Sequence, residues 1–317
     1  MISPPRLPFL PISIFATVMG LAGLSIAWTK AEPLLKLATL SPLLMGLTGT
    51  LFVVLLLLYV VKVVRHPEAV RAELHHPIKL SFFPTISISL LLLSIVTLHL
   101  MPHLSKGLWL LGAGLHLGLT LYVLSAWLNH DHFEIKHMNP SWFIPVVGNI
   151  VIPLAGVEHG YLEPSWFFFS IGLLFWLVLM VIVFYRLFFH PPLPDKLMPT
   201  LFILIAPPAV GFLAYLKLTG ELDAFARILY YAGLFLTLML FTQIRRFTRL
   251  KFFLSWWAYS FPLAAITVAT LVMQQRLNTL FYLWLSMLLM GILCLVILGL
   301  AVRTGLAVYR REICVEE

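Results

Sequence analysis

Apolar residues run along this chain in long blocks separated by short polar connections. A block of about 20 apolar residues is what an α-helix needs to cross a bilayer, and a helix satisfies every backbone group internally there. Ten such blocks stand at 10–28, 40–64, 82–101, 107–129, 143–157, 165–187, 199–216, 224–244, 252–273 and 279–302. The fifth is short and interrupted by Pro145, Gly148, Pro153 and Gly156. Alternating-strand patterning is absent, which excludes a porin-type barrel. The connections are too short for a separate soluble domain, so residues 1–317 read as a single transmembrane domain. Pro67 and Glu68 open the segment 66–79 as a helix would start, which predicts a short surface helix.

Proline divides the ten spans into two sets. The odd ones are each broken or begun by proline: Pro11, Pro84, Pro145 with Pro153, Pro199 with Pro207 and Pro208, and Pro262. The even ones carry none in their interiors, Pro42 lying in the first turn of the second. This alternation predicts a helical hairpin used five times, each with one irregular and one regular helix. Proline removes a backbone hydrogen bond, and inside a bilayer the freed groups must face protein or water. The expected fold is therefore all-α and polytopic: ten transmembrane helices, as five hairpins, in a quasi-fivefold ring. The proline-broken odd helices stand inside, around a central pore. Gly20, Gly23, Ser87, Ser89, Gly148, Gly211, Ala264 and Ala265 leave room along its axis. In the ninth span Ser260-Phe261-Pro262 lies near the middle of a chargeless stretch, so Phe261 is a candidate plug, with plain packing against a neighbour as the alternative.

Composition agrees, with 61% hydrophobic and 11% charged residues, against about 45–50% and about 25% in soluble domains. The formal charge of +8 sits between apolar spans rather than on a soluble module, so it speaks for topology and not for nucleic acid. Of the 21 Lys and Arg, 15 fall in the N-terminus, the connections after even spans and the C-terminus, which predicts both termini in the cytoplasm. Nothing at the N-terminus reads as a cleaved signal, because Pro4, Pro5, Pro8 and Pro11 break up a leader-type helix. Cys294 and Cys314 offer no disulfide framework.

The missing chemistry is as informative. No Asp, Glu, Lys or Arg falls inside any odd span, so neither a carboxylate relay nor an acidic selectivity ring is available. A chargeless bore with basic mouths and broken-helix amide dipoles favours passive flow of small anions. His130, His132 and His137, with Asp131 and Glu134, match no familiar metal-ligand spacing and read as a hydrated loop. His116, between Gly114 and Gly118 on a small-residue packing face, is expected to hydrogen-bond a neighbouring helix. No Walker loop, nucleophile elbow or HExxH motif is present, so neither catalysis nor a cofactor or metal is expected.

Three blocks carry a family resemblance: Asn139-Pro140-Ser141-Trp142-Phe143-Ile144-Pro145-Val146-Val147-Gly148-Asn149, then Met198-Pro199-Thr200 through Ala206-Pro207-Pro208-Ala209-Val210-Gly211, then Trp256-Trp257-Ala258-Tyr259-Ser260-Phe261-Pro262-Leu263. In these the chain resembles the tellurite-resistance/dicarboxylate transporter family of bacterial TehA type, which includes the plant guard-cell slow anion channels. The resemblance implies ten helices as five hairpins around a pore, a homotrimer with one pore per subunit, and transport of small inorganic anions across a bacterial inner membrane. It also implies occlusion by a phenylalanine of the ninth helix, which the Ser-Phe-Pro block makes Phe261. Gating through long phosphorylated tails is not expected to carry over, because the N-terminus is short and the tail Arg310–Glu317 brief. The competing expectation is a secondary transporter of dicarboxylate or tellurite oxyanions, possibly proton-coupled.

Overall fold

The computed structural model describes residues 6–129 and 133–315. Among these residues there are helices and no strands. The α-helices are α1 (Ala16–Leu35), α2 (Ser41–Arg65), α3 (Pro67–His75), α4 (Thr85–Thr97), α5 (Pro102–Asn129), α6 (Phe143–Val147), α7 (Pro153–Gly156), α8 (Leu162–Phe189), α9 (Ala206–Thr219), α10 (Ala224–Phe241), α11 (Ile244–Thr248), α12 (Ser260–Leu277) and α13 (Leu280–Tyr309). Nine helices among the described residues are long and apolar enough to cross a membrane, which makes this a multi-pass membrane protein. Where a tenth span was expected at 143–157, the chain forms only the short apolar stretch Pro140–Gly156, assembled from α6, α7 and 3₁₀ turns. Helix α3 occupies the segment expected to form a surface helix.

Each odd span shares one construction. A 3₁₀ lead-in is followed by an α-helix: Ile12–Phe15 before α1, Lys79–Phe82 before α4, Pro140–Trp142 before α6, Met198–Ile205 before α9 and Leu254–Tyr259 before α12. The prolines that mark the odd spans sit at or near these joints, while Pro33 stands inside α1 near its C-terminal end. Pro84 is the N-cap residue of α4, Pro207 and Pro208 lie in the first turn of α9, and Pro262 is the third residue of α12. The first-turn amides of a helix have no intrahelical partner, so proline there forfeits nothing. The break inferred in the middle of span nine is thus a change from 3₁₀ to α, which keeps the backbone paired on both sides.

Burial separates the two sets. The four long odd spans are 67%, 72%, 67% and 78% buried, in chain order, while the even ones are between 22% and 39% buried. The even helices α2, α5, α8, α10 and α13 turn Leu, Val, Ile and Phe outward, as lipid-facing helices do. Among the odd elements α1 packs on α4 and α12, α9 on α12 and α7, and α4 on α7. Each also packs against the even helix that follows it, α1 on α2, α4 on α5, α6 and α7 on α8, α9 on α10, α12 on α13.

Side chains from the periphery satisfy the irregular backbone. On α5, Thr120 Oγ1 donates to Pro145 O at 2.7 Å and Trp109 Nε1 to Ile152 O at 2.9 Å. The lead-in to α1 is held by a buried network: Lys62 Nζ donates to Leu10 O (2.8 Å) and to Glu73 Oε2 (2.7 Å), Tyr59 OH donates to the same oxygen (2.9 Å), and Ile12 N donates to Glu73 Oε1 (3.2 Å). Glu73 fastens α3 to α2 and to Ile12, and Lys62 holds Leu10 on the other side of Pro11.

Candidate functional site

Two interior cavities follow the odd spans, and their walls differ in chemistry. The first, of about 70 Å³, is lined only by odd-span segments, all five of which contribute. Its wall includes Met19, Thr85, Gly148, Pro207, Phe261 and Pro262, and Thr85 is the one hydroxyl in an otherwise apolar lining without a charge. Thr85 Oγ1 is itself committed to Phe82 O at 2.5 Å. An anion in this cavity would meet methyl, ring and backbone groups and no fixed counter-charge.

Phe261 is the large side chain that α12 turns toward this space. From Pro262 to Leu271 every residue of α12 is buried, whereas Phe261 is half-buried and on the cavity wall. Its ring lies over Gly23 of α1, where a Cβ would come within 3.6 Å of Phe261 Cδ2 and 2.7 Å of Ala264 Cβ. The close approach of α1 and α12 therefore requires glycine at 23. Of the residues expected along the axis, Gly148, Pro207, Phe261 and Pro262 line the cavity. Others expected there hold helices together. A Cβ on Gly20 would come within 2.2 Å of Ser260 Oγ, and one on Gly211 within 3.1 Å of Ile150 Cδ1. Ser87 donates to Pro84 O (2.8 Å), and Ala264 packs on Gly23. Pro11, Pro84, Pro145, Pro153 and Pro208 are joint residues outside this lining.

Behind Gly148 lies a buried polar group. His116 Nδ1 is 2.9 Å from Ser87 Oγ, which ties α5 to α4, and a Cβ at Gly148 would stand 2.8 Å from His116 Cε1, His116 Nε2 and Ile88 Cδ1. His116 thus bonds a neighbouring helix as expected, but the glycines first assigned to that packing, Gly114 and Gly118, face open space. Gly112 is the one against α4, where a Cβ would meet Leu91 at 3.0 Å. His130, Asp131 and His132 lie outside the described residues, and among the described residues no three metal-ligating side chains come together.

The second cavity, of about 490 Å³, begins one to two helical turns further along the same helices. On α9 the wall passes from Val210 to Leu213, and on α12 from Pro262 to Val268. At 1.5 Å per residue that is a separation of roughly 5–9 Å along the axis. Its wall carries the basic side chains Lys30 of α1, Lys217 of α9 and Arg276 of α12, with the imidazole of His99 after α4 beside them. Glu158, after α7, bonds Lys217, and that ammonium holds its carboxyl below the usual carboxylate range. Sequence reading missed this vestibule: Lys30, Lys217 and Arg276 counted only among the six Lys and Arg on the side opposite the termini, and His99, inside the third span, was not singled out. Their common signal is position, since each falls near the C-terminal end of an odd span.

The comparisons with known proteins agree with one another. The family described as "SLAC1: Voltage-dependent anion channel" matches residues 10–305. The S-type anion channel SLAH2 of Arabidopsis thaliana is 34% identical over 275 residues, covering 83% of this chain and 53% of the plant protein. The tellurite resistance protein TehA homolog of Haemophilus influenzae is 31% identical over 267 residues, covering 82% and 80% of the two chains. An uncharacterized transporter of Methanocaldococcus jannaschii is 31% identical over 288 residues, covering 81% and 83%. The chain spans about half the length of the SLAH2 protein it matches.

Proposed function

We propose a function from one premise: this chain belongs to the SLAC1 family of voltage-dependent anion channels. It is an anion channel that passes small monovalent anions through a central uncharged conduit, and Phe261 occludes that conduit at rest. The single observation that carries this reading is the wall of the smaller cavity, built from all five odd spans and from no even one, with no charge and with Phe261 in it. Neighbour relations support a closed ring of five hairpins: α1, α4, α7, α9 and α12 each touch the next, and α12 touches α1. A chargeless, mostly apolar constriction binds an anion weakly and releases it quickly, and a phenylalanine across it blocks by volume and by dewetting.

The orientation we infer puts both termini in the cytoplasm of a bacterial cell, with the larger cavity opening on the opposite face. Assembly as a homotrimer with one conduit per subunit is what the family resemblance supplies.

Recordings from the purified chain in planar bilayers test the reading. Under a chloride or nitrate gradient the reversal potential is expected to follow the Nernst potential of the anion, and to stay put when pH is changed on one side. A reversal potential that moves with the proton gradient would replace the channel by a proton-coupled carrier of dicarboxylate or tellurite.

A further inference from the structure

Positive charge is spread unevenly over the end of the molecule where the odd spans begin. Several cations there have partners: Lys62 is bound to Glu73, Arg71 to Glu68 and Lys136 to Glu134, and Arg186 donates to Ile135 O and Pro191 O. Arg245, Arg246, Arg249 and Lys251, in the connection from α10 through α11 to the lead-in of α12, are different. All four are exposed, and none makes a side-chain hydrogen bond or an ion pair with a described residue. No Asp or Glu stands between Asp223 and Glu312, so α10, α12 and α13 supply no counter-charge. Arg303 of α13 joins the group, with its guanidinium 5.8 Å from the ring centre of Phe252. The bias of inner connections toward Lys and Arg accounts for an excess of positive charge on one face. It does not call for this density on one anchored segment.

The segment stands at the level of lipid headgroups. Helix α10 has 18 residues, about 27 Å at 1.5 Å each, which nearly matches the roughly 30 Å of bilayer hydrocarbon. The chain beyond it, where α11 begins, therefore emerges at the interface. Exposed apolar residues lie beside the cations there, Ile244 next to Arg245, and Val302 and Leu306 on either side of Arg303. Phe247 fixes α11 in place: it is buried, with its ring edge-on to Phe202 at 5.1 Å and to Tyr259 at 5.9 Å between centroids. Guanidinium groups on such an anchored turn match the oxygens of a phosphate. We propose that Arg245, Arg246, Arg249 and Lys251, with Arg303, form a docking surface for the headgroups of anionic phospholipids, whose acyl chains lie against the exposed apolar residues beside them. Tyr259 ends the lead-in to α12, two residues before Phe261, so Phe247 links the surface to the joint that carries this phenylalanine. A ligand favours the arrangement it binds, and in this arrangement Phe261 stands in the cavity wall. Anionic headgroups thereby hold the conduit shut. That effect on flow rests on the conduit proposed above, whereas the docking does not.

Radiolabelled phosphatidylglycerol, retained on the immobilised full-length chain in nonionic detergent, measures the docking. Saturable retention is expected, with phosphatidylcholine of the same acyl chains at least tenfold weaker as a competitor and inorganic phosphate ineffective at matched ionic strength. Arg246→Gln with Arg249→Gln, and separately Arg245→Gln with Lys251→Gln, are expected to weaken it about tenfold or more, at roughly fivefold per charge. Lys36→Gln with Arg227→Gln removes the same charge from the end where the odd spans finish, and is expected to leave retention unchanged. All six side chains are exposed, and size-exclusion profiles and melting temperatures matching wild type establish that each variant is folded. Equal competition by phosphatidylcholine would overturn the proposal, as would unchanged affinity in both site variants or an equal loss in the Lys36 and Arg227 variant. Displacement by inorganic phosphate would make this a site for free anions and overturn the lipid assignment. In liposomes, a rising share of phosphatidylglycerol is expected to slow chloride efflux more for wild type than for the Arg246 and Arg249 variant, since membrane surface charge acts on both alike. An equal response would overturn the coupling to Phe261. If neither protein passes chloride, the conduit reading fails while lipid retention still decides the docking surface.

Discussion

Phe261 differs from its neighbours along α12 in its partial exposure to an interior space, since every residue from Pro262 to Leu271 is buried. Gly23 and Gly148 make complementary room, one under the Phe261 ring and one in front of His116. A methyl group at 148 has to displace the His116 ring or Ile88, so Gly148→Ala is expected to destabilise the protein by about 1–3 kcal/mol. Gly118→Ala meets nothing within 4 Å, and is expected to be neutral or to stabilise by up to about 1 kcal/mol through helix propensity. Thermal melts of the two variants side by side check both signs. Glu158 makes a pH statement. Its carboxyl is held below the ordinary value by Lys217, so this pair contributes stability above the unfolded carboxyl value of about 4.3 and loses it only as pH falls through the lower folded value. In Lys217→Gln the Glu158 carboxyl is expected to titrate closer to the ordinary value, read by carbon NMR of glutamate-labelled protein. No upward movement would show that Lys217 is not the cause.

Irregular and regular helices have different jobs here, and the irregular ones borrow partners. Their freed groups are met by Thr120 and Trp109 of α5 and by Lys62 and Glu73 of α2 and α3. Removing one member of the buried Lys62–Glu73 pair leaves the other charge uncompensated, so Lys62→Met is expected to cost about 3–5 kcal/mol. The double variant Lys62→Met with Glu73→Leu recovers much of that loss, and unfolding in a graded denaturant series distinguishes the two. Equal loss in single and double variants would mean that the backbone contacts at Leu10 and Ile12 matter more than the charge pair. The odd–even division could be read in the sequence because proline leaves a visible mark wherever an amide is unpaired. What composition does not encode is how far each 3₁₀ lead-in extends, since Leu254–Tyr259 and Ser260–Leu277 are equally apolar and chargeless over the joint. For the same reason Pro262 reads as a mid-helix break when the backbone makes it a first-turn residue.

Over the whole molecule, five buried elements face a shared interior while five apolar helices face outward. The apolar cavity was legible in outline, because the missing charge inside the odd spans is a property of the sequence alone. The basic vestibule was not, because Lys30, His99, Lys217 and Arg276 are scattered over nearly the whole chain and only the fold brings them to one space. The account makes the molecule a conduit with a wide charged end, a narrow neutral middle and a phenylalanine across it. Chloride and nitrate efflux from liposomes carrying wild type or Phe261→Ala protein, matched for amount and orientation in the membrane, tests that claim most directly. The account predicts a substantial rise in efflux for Phe261→Ala with preference for small monovalent anions retained, and equal efflux from the two proteins would contradict it.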